Sequence, residues 1–456
     1  MARIRVVQAA RGGKSAEKNK RVSMAIRMDK NKTPKRWMKL DNAAKIFPAA
    51  KARKWKALFR LSAELTEDVD LNALELALKS ALPRFPGFSL RLRRGLFWYY
   101  LEHIDGEPDI KPDGAYPCAF MDFGENKGFM FRVLYYEKRI AVEIFHALTD
   151  GTGGLCFLKT LVAEYLRLKY GADIRRGGGI LDCGEKPSQD EIEDAYLRHA
   201  GSATRTRREP DAFYIKGTDE NADFINNIAG IIPVDKAIQR AKEKGVTLTE
   251  FLASAMIMAV DGIQRQRVKN QKRLKPVKIC LPINLRQFYP TGTLRNFSSY
   301  VNIGIDPKLG KYSFDEVLHA VHHHMAIEIS EKMIKARFST NVRSETRKVI
   351  RVTPLFIKNS AMKYIYKLVG ERKASIGISN LGVVKLPDSM ARYVTRMDFI
   401  QGRPLKSKLA CAVITYNGNL VINFTRIIRE SIVERDFFRF LVRLGIPVRI
   451  ESNQRI

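Results

Sequence analysis

Apolar and polar positions along the chain change period several times, and each change marks an element. Residues 140–145, Ile-Ala-Val-Glu-Ile-Phe, are β-branched and aromatic with Glu143 as the single charge, and with the similar run at 129–136 they predict a strand hairpin. Leu155, Leu158, Leu161, Val162, Tyr165 and Leu166 then recur at helical spacing over 153–170, with Gly171 placed as a C-cap. Upstream, apolar runs at 58–62, 88–93 and 96–100 predict strands and 72–81 a helix, with Pro83 and Pro86 punctuating the passage between them. Downstream, Thr247 and Glu250 form a capping box ahead of the apolar helix 251–260. Strands follow at 277–281 and 300–305, and a long helix from Phe314 to about Arg337. Runs at 409–416 and 419–425 flank Asn417-Gly418, a hairpin turn whose central residues both tolerate positive φ. Between about Gly171 and Gly217 the pattern gives way to glycine and charge, including Arg175-Arg-Gly-Gly-Gly179. Strands interleaved with helices on both sides predict an α/β-type fold. The divisions are a basic arm at 1–36, a first half at 37–171, a crossover linker at 172–218 and a second half at 219–456.

Composition narrows this picture. A chain of 456 residues, 45% hydrophobic, is long enough for two ordinary cores. No run approaches the ~18 apolar residues that span a bilayer; the best, 251–260, stops at Asp261. The N-terminus reads as lacking the apolar core of a secretory signal. Cys118, Cys156, Cys183, Cys280 and Cys411 are odd in number and widely spaced, which argues against a disulfide framework and predicts a reducing cytoplasm. Lysine and arginine number 80 against 48 acidic residues, a net +32. Residues 1–39 hold 13 basic and two acidic side chains, so +11 sits there and +21 on the rest. Such basicity favours anionic partners and says nothing about fold.

The candidate chemistry lies where the strand 140–145 meets the helix. His146-Ala-Leu-Thr-Asp150-Gly151 puts a histidine in the turn, an aspartate where a helix N-terminus favours negative charge, and a glycine that permits a tight backbone path. Three further segments follow: Leu281-Pro-Ile-Asn-Leu-Arg286, Leu294-Arg-Asn-Phe-Ser-Ser-Tyr300 and Ser379-Asn-Leu-Gly-Val-Val-Lys-Leu-Pro387. In that order they resemble the coenzyme A-dependent acyltransferase superfamily, which includes chloramphenicol acetyltransferase, peptide-synthetase condensation domains and alcohol acetyltransferases. The resemblance covers roughly residues 38–450. Phe145 stands where condensation domains carry the first of two adjacent histidines, the plant D-F-G-W-G segment is absent, and about 300 residues follow the motif. The sequence is therefore most similar to bacterial alcohol acetyltransferase-like proteins.

The resemblance implies two chloramphenicol-acetyltransferase-like halves, each a two-layer α+β sandwich, with the active site in a tunnel between them. It implies transfer of an acyl group from coenzyme A, or from an acidic acyl carrier protein, to an alcohol or amine. No bound cofactor is implied, acyl-CoA being a co-substrate. An imidazole, with a reference pKa of about 6.5, can take the acceptor's proton and return it to the leaving thiolate, and His146 is the candidate. Asp150 would point away from the reaction and hold the loop through an ion pair with Arg286, a guanidinium suited to gripping a carboxylate. Asn380 or the hydroxyls of Ser298 and Ser299 could steady the oxyanion. His319, His322, His323 and His324 read as a solvated helix face rather than a metal site, since no H-E-x-x-H accompanies them. One alternative is a condensation-type amide former working with carrier proteins. Another is a non-catalytic basic protein on the same fold that binds nucleic acid or an anionic membrane surface, recognisable by steep salt dependence without thioester turnover. The arm at 1–36 is expected to be disordered and outside the core.

Overall fold

The computed structural model describes residues 37–45, 57–203, 209–221, 224–346, 352–365, 373–403 and 407–454. The basic arm lies outside them. The strands, numbered in chain order, are β1 (Trp37–Lys39), β2 (Leu58–Leu65), β3 (Leu90–Arg94), β4 (Tyr99–His103), β5 (Lys111–Pro112), β6 (Phe131–Tyr136), β7 (Arg139–Phe145), β8 (Asn226–Pro233), β9 (Val277–Asn284), β10 (Ser298–Ile305), β11 (Ile376–Val383), β12 (Val394–Gln401), β13 (Leu409–Tyr416), β14 (Asn419–Arg426) and β15 (Arg449–Ser452). They form a five-stranded sheet in the order β12-β2-β7-β6-β5, a seven-stranded sheet in the order β10-β9-β11-β13-β14-β8-β15, and a small sheet β1-β4-β3.

Glu143 explains the centre of the first sheet. It is fully buried on β7, with Arg60 of β2 and Arg132 of β6 directly opposite it in register. Arg60 Nε donates to its Oε1 at 2.7 Å and Arg132 Nε to its Oε2 at 2.8 Å, so the buried carboxylate is paired from both sides. Past Arg139 at its start the rest of the strand is apolar and buried, which makes β7 a rigid central rod ending at His146. Leu71–Ala81 and Gly151–Tyr170 pack together beside this sheet. Leu248–Arg267, Phe314–Glu328 and Ile432–Arg443 belong to the second core. The fold is the expected mixture of helix and sheet in two layered halves, and β12, far along in the second half of the sequence, completes the first sheet by pairing with β2.

Two local expectations change. The helix from Phe314 breaks at Ile329-Ser330, and a second helix, Glu331–Thr346, begins beyond it. Ser330 Oγ donates to the Ile327 carbonyl at 2.9 Å, a side-chain bond that competes with helical continuation. The linker is not bare coil. Ser188 and Glu191 form a capping box on Gln189–Ile192, and Arg84 grips both carboxylate oxygens of Glu191. Asn417 and Gly418 adopt φ of 47° and 72°, as the hairpin turn between β13 and β14 requires.

Candidate active site

The end of β7 carries the chain straight into a helix N-terminus. His146 N–H donates to the Ala57 carbonyl at 2.8 Å, and Leu148 N–H closes a turn on Phe145. Asp150 is the N-cap of Gly151–Tyr170: its Oδ1 accepts from Thr152 N at 3.1 Å and Gly153 N at 3.2 Å. Its Oδ2 accepts from Arg286 Nη1 at 2.8 Å and from Phe297 N at 2.9 Å. All four bonds lead into the scaffold. Burial alone would push the Asp150 carboxyl up, but the Arg286 guanidinium and the N–H groups of Phe297 and Gly153 outweigh it and hold the pKa below the ordinary carboxylate value.

Arg286 is itself held. Its Nε donates to the Thr293 carbonyl at 2.9 Å and its Nη2 to the Arg295 carbonyl at 2.6 Å, so one guanidinium ties Asp150 to the loop before β10. The linker grips that loop from its other side: Leu294 N donates to Glu191 O at 2.9 Å and Thr293 Oγ1 to Glu193 O at 2.9 Å.

That loop carries a residue the motif reading did not single out. Asn296, 1% exposed, places Oδ1 3.0 Å from His146 Nδ1. Its Nδ2 donates to Asp41 Oδ2 at 3.2 Å, and Asp41 Oδ1 accepts from Ala44 N at 2.7 Å. Burial raises the Asp41 pKa against the opposing pull of Arg295, whose Nε lies 3.7 Å away. Because the amide nitrogen of Asn296 is turned toward the carboxylate, its oxygen must face the ring. The Nδ1–H tautomer of His146 is the one that suits this orientation of the amide. The Phe59 ring stands edge-on to the imidazole at 5.2 Å between centroids and limits its rotation. The one sequence signal was the Asn within 294–300, but no local pattern links it to Asp41, 255 residues earlier.

The remaining predicted residues fall at different removes. Gly151 packs at Leu381, where an added Cβ would meet only the end of a leucine side chain at 2.5 Å. The obligatory glycine is Gly153: a Cβ there would sit 2.2 Å from the Leu294 carbonyl oxygen, which is backbone and cannot swing aside. Gly153→Ala is expected to cost about 1–3 kcal/mol, the usual range for overpacking. It should also lower turnover, since Leu294 leads into Asn296, whereas Gly151→Ala should be milder; denaturant unfolding and activity of the two variants check this. Ser298 and Ser299 open β10, partly exposed, and strand alternation turns them to opposite faces, so at most one can serve the same side. Asn380 sits at a bulge of β11, where its Oδ1 accepts from Gly382 N at 2.8 Å and its Nδ2 donates to Thr249 Oγ1 at 3.1 Å. Much of its amide is spent on that turn. His322 Nδ1 lies 3.0 Å from Glu250 Oε1, and no group of three or more metal-ligating side chains converges among the described residues.

Two helix-flanked sheets meet where the histidine loop of one half is ion-paired to Arg286 of the other, and this fold is shared with solved acetyltransferase and condensation-domain structures. The similarity of fold extends over most of the chain. Polyketide synthase associated protein 5 from Mycobacterium tuberculosis matches with a TM-score of 0.58 at 13% identity, covering 88% of this chain and 96% of its own. A variant of the starter condensation domain of rhizomide synthetase, in complex with C8-CoA, gives 0.57 at 11%, covering 90% and 95%. Trichothecene 15-O-acetyltransferase from Fusarium sporotrichioides gives 0.56 at 11%, covering 88% and 93%. No family model and no curated protein sequence matches the chain.

Proposed function

We propose that the chain is an acyltransferase, alcohol acetyltransferase-like, that moves an acyl group from coenzyme A or a carrier-protein thioester to an alcohol or amine. The observation that carries this reading is the hydrogen-bonded chain from His146 through the buried Asn296 to Asp41, and in this reading Nδ1 stays engaged there while Nε2 takes the proton. The acceptor's O–H or N–H gives its proton to Nε2 as its heteroatom attacks the thioester carbonyl. The tetrahedral intermediate expels the thiolate, which takes the proton back from Nε2, so the enzyme ends unchanged and no acyl-enzyme forms. Nδ1–H stays bonded to Asn296 throughout, and the amide dipole favours the passing imidazolium. Asp150 and Arg286 position the loop without touching the reacting atoms. Ser298 or Ser299 is the better candidate for the oxyanion, because the Asn380 amide already has partners. The same reading places the protein in the cytoplasm, with acyl-CoA or an acidic carrier protein as partner to a chain of net +32.

The test is thiol release by the purified full-length protein over a matrix of acyl-CoA chain lengths against alcohols and amines. Acceptor-dependent release that vanishes in a His146 variant is the expected result, and its absence across the matrix overturns the reading. Asn296→Ala should lower kcat on the order of 10²-fold, less than loss of the imidazole itself, with KM nearly unchanged. A change confined to KM would take Asn296 out of the proton-transfer geometry.

A further inference from the structure

The seven-stranded sheet ends at β15, four exposed residues that pair with β8. Helices of the second core cover one face of that sheet, and Ile432–Arg443 lies over β8, where a Cβ added to Gly230 would meet the Phe438 ring at 2.2 Å. Ile450 of β15 stands opposite Gly230 in register, so its side chain points to the same face. It is 50% exposed, and Val442 on the flank of the helix is 54% exposed. Between helix and strand runs a groove of about 600 Å³, lined by Ile228, Phe438, Val442, Val448 and Ile450. Among the described residues the helix layer thus stops one strand short of the sheet, and an apolar strip lies open where the next helix would pack.

Arg435, Arg439 and Arg443 also line the groove, recurring every fourth residue so that they form one row on the helix. All three are exposed. Arg435 pairs with Asp436 at 2.9 Å, whereas Arg439 and Arg443 form no ion pair among the described residues. The acids nearby are already engaged. Glu451 is met by Arg396 at 2.6 Å and by Arg449 at 3.2 Å. Glu434, 1% exposed, lines the groove at the N-terminal end of the helix, and its Oε1 accepts from Arg426 Nη1 at 2.7 Å. Its Oε2 has no hydrogen-bond partner among the described residues, and a buried acceptor left so is costly. The groove therefore offers an apolar strip, two unmatched cations and one unmet acceptor. A second copy of the same face, or the basic arm at 1–36, would set cations against Arg439 and Arg443. A simple alkyl anion would bring no donor to Glu434. An acidic polypeptide brings apolar side chains, carboxylates and N–H groups together.

We infer that this groove takes an acidic amphipathic helix of a partner protein, which completes the helix layer over β15. Lying beside Ile432–Arg443 at the usual spacing of about 8–10 Å, it sets its apolar stripe on Val442, Val448 and Ile450. Carboxylates four residues apart on its flank meet Arg439 and Arg443. The N–H groups of its first turn, which no helix can satisfy internally, face Glu434 Oε2, so the two helices run parallel. Docking of this kind is independent of the acyl-transfer reading and stands or falls by itself.

The experiment is fluorescence anisotropy of the full-length protein with a labelled peptide of roughly 18 residues, carrying leucine at helical spacing on one face, glutamate on the flanks and alanine elsewhere. A peptide of the same composition with its leucines scattered is the control. The intact protein should bind the segregated peptide and not the scattered one. Arg439→Glu/Arg443→Glu should weaken that binding by about tenfold or more, since both cations of the row are reversed. Val442→Ser/Ile450→Ser should weaken it as well, through the apolar half of the contact. Lys79→Glu/Lys111→Glu, the same change of charge on two exposed lysines of the first half, should leave it unchanged. All of these proteins retain the basic N-terminal stretch, so any attraction it adds is common to them, and matching thermal unfolding shows that the exposed substitutions leave the fold intact. No binding by the intact protein, equal binding of the two peptides, or equal losses in the arginine and lysine variants overturns the inference. Self-association of the intact protein in sedimentation that Arg439→Glu/Arg443→Glu abolishes would put a second copy in the groove and overturn it too.

Discussion

Replacing His146 with alanine is expected to lower kcat/KM for acyl transfer by ~10²- to 10⁴-fold, the usual cost of removing a general base. The fold should survive. His146 is only partly buried, and the strand that delivers it is held by the Glu143 pairing and by backbone bonds that the substitution does not touch. The loss should appear in kcat at saturating thioester, because the imidazole is assigned to proton transfer and not to binding. A correctly folded His146→Ala protein with near-normal turnover would remove the residue from the mechanism and leave the Asn296 and Asp41 contacts as packing.

The second large effect belongs to Asp150 and Arg286, whose side chains are 8% and 12% exposed at a separation of 2.8 Å. Either single alanine variant strands a buried charge, at about 3–5 kcal/mol. Activity should fall with stability, because Arg286 also anchors the carbonyls of Thr293 and Arg295 on either side of Leu294. The double variant should lose less than the sum of the two singles, and a double-mutant cycle with no coupling energy would dissolve the pair. The acid side offers a further check. A carboxyl whose pKa is depressed by folding contributes stability that is complete above its ordinary value of 3.8 and is lost as the pH falls through the folded value. Asp150→Asn should flatten that part of the acid unfolding curve.

Some of this architecture could be read directly from local sequence. The β7 strand, the helix after Asp150, its glycine C-cap, the Thr247 capping box and the Asn417-Gly418 hairpin each depend on a handful of neighbouring residues. Their signals are propensity, periodicity and capping, which act over one or two turns of chain. The break at Ile329-Ser330 was missed because one hydroxyl bond inside a continuous apolar period leaves no mark on that period. The approach at Gly151 is tight, but the one at Gly153 is less forgiving, because what demands a missing Cβ there is a carbonyl arriving from Leu294, far away in sequence.

By itself, then, the sequence determined the class of fold, the strand-to-helix turn that presents His146, and the N-cap position of Asp150, since local backbone preferences are decided within each element. Only the tertiary structure decided that β12 would cross back to pair with β2, that the linker would clamp the loop at 291–298, and that Asn296 would join His146 to Asp41 across 255 residues. These contacts depend on closing long loops around buried polar groups, and they form because a buried carboxylate, amide or guanidinium must find a partner wherever the packed chain brings one. The partner of His146 Nδ1 is set by that demand, which no stretch of neighbouring residues encodes.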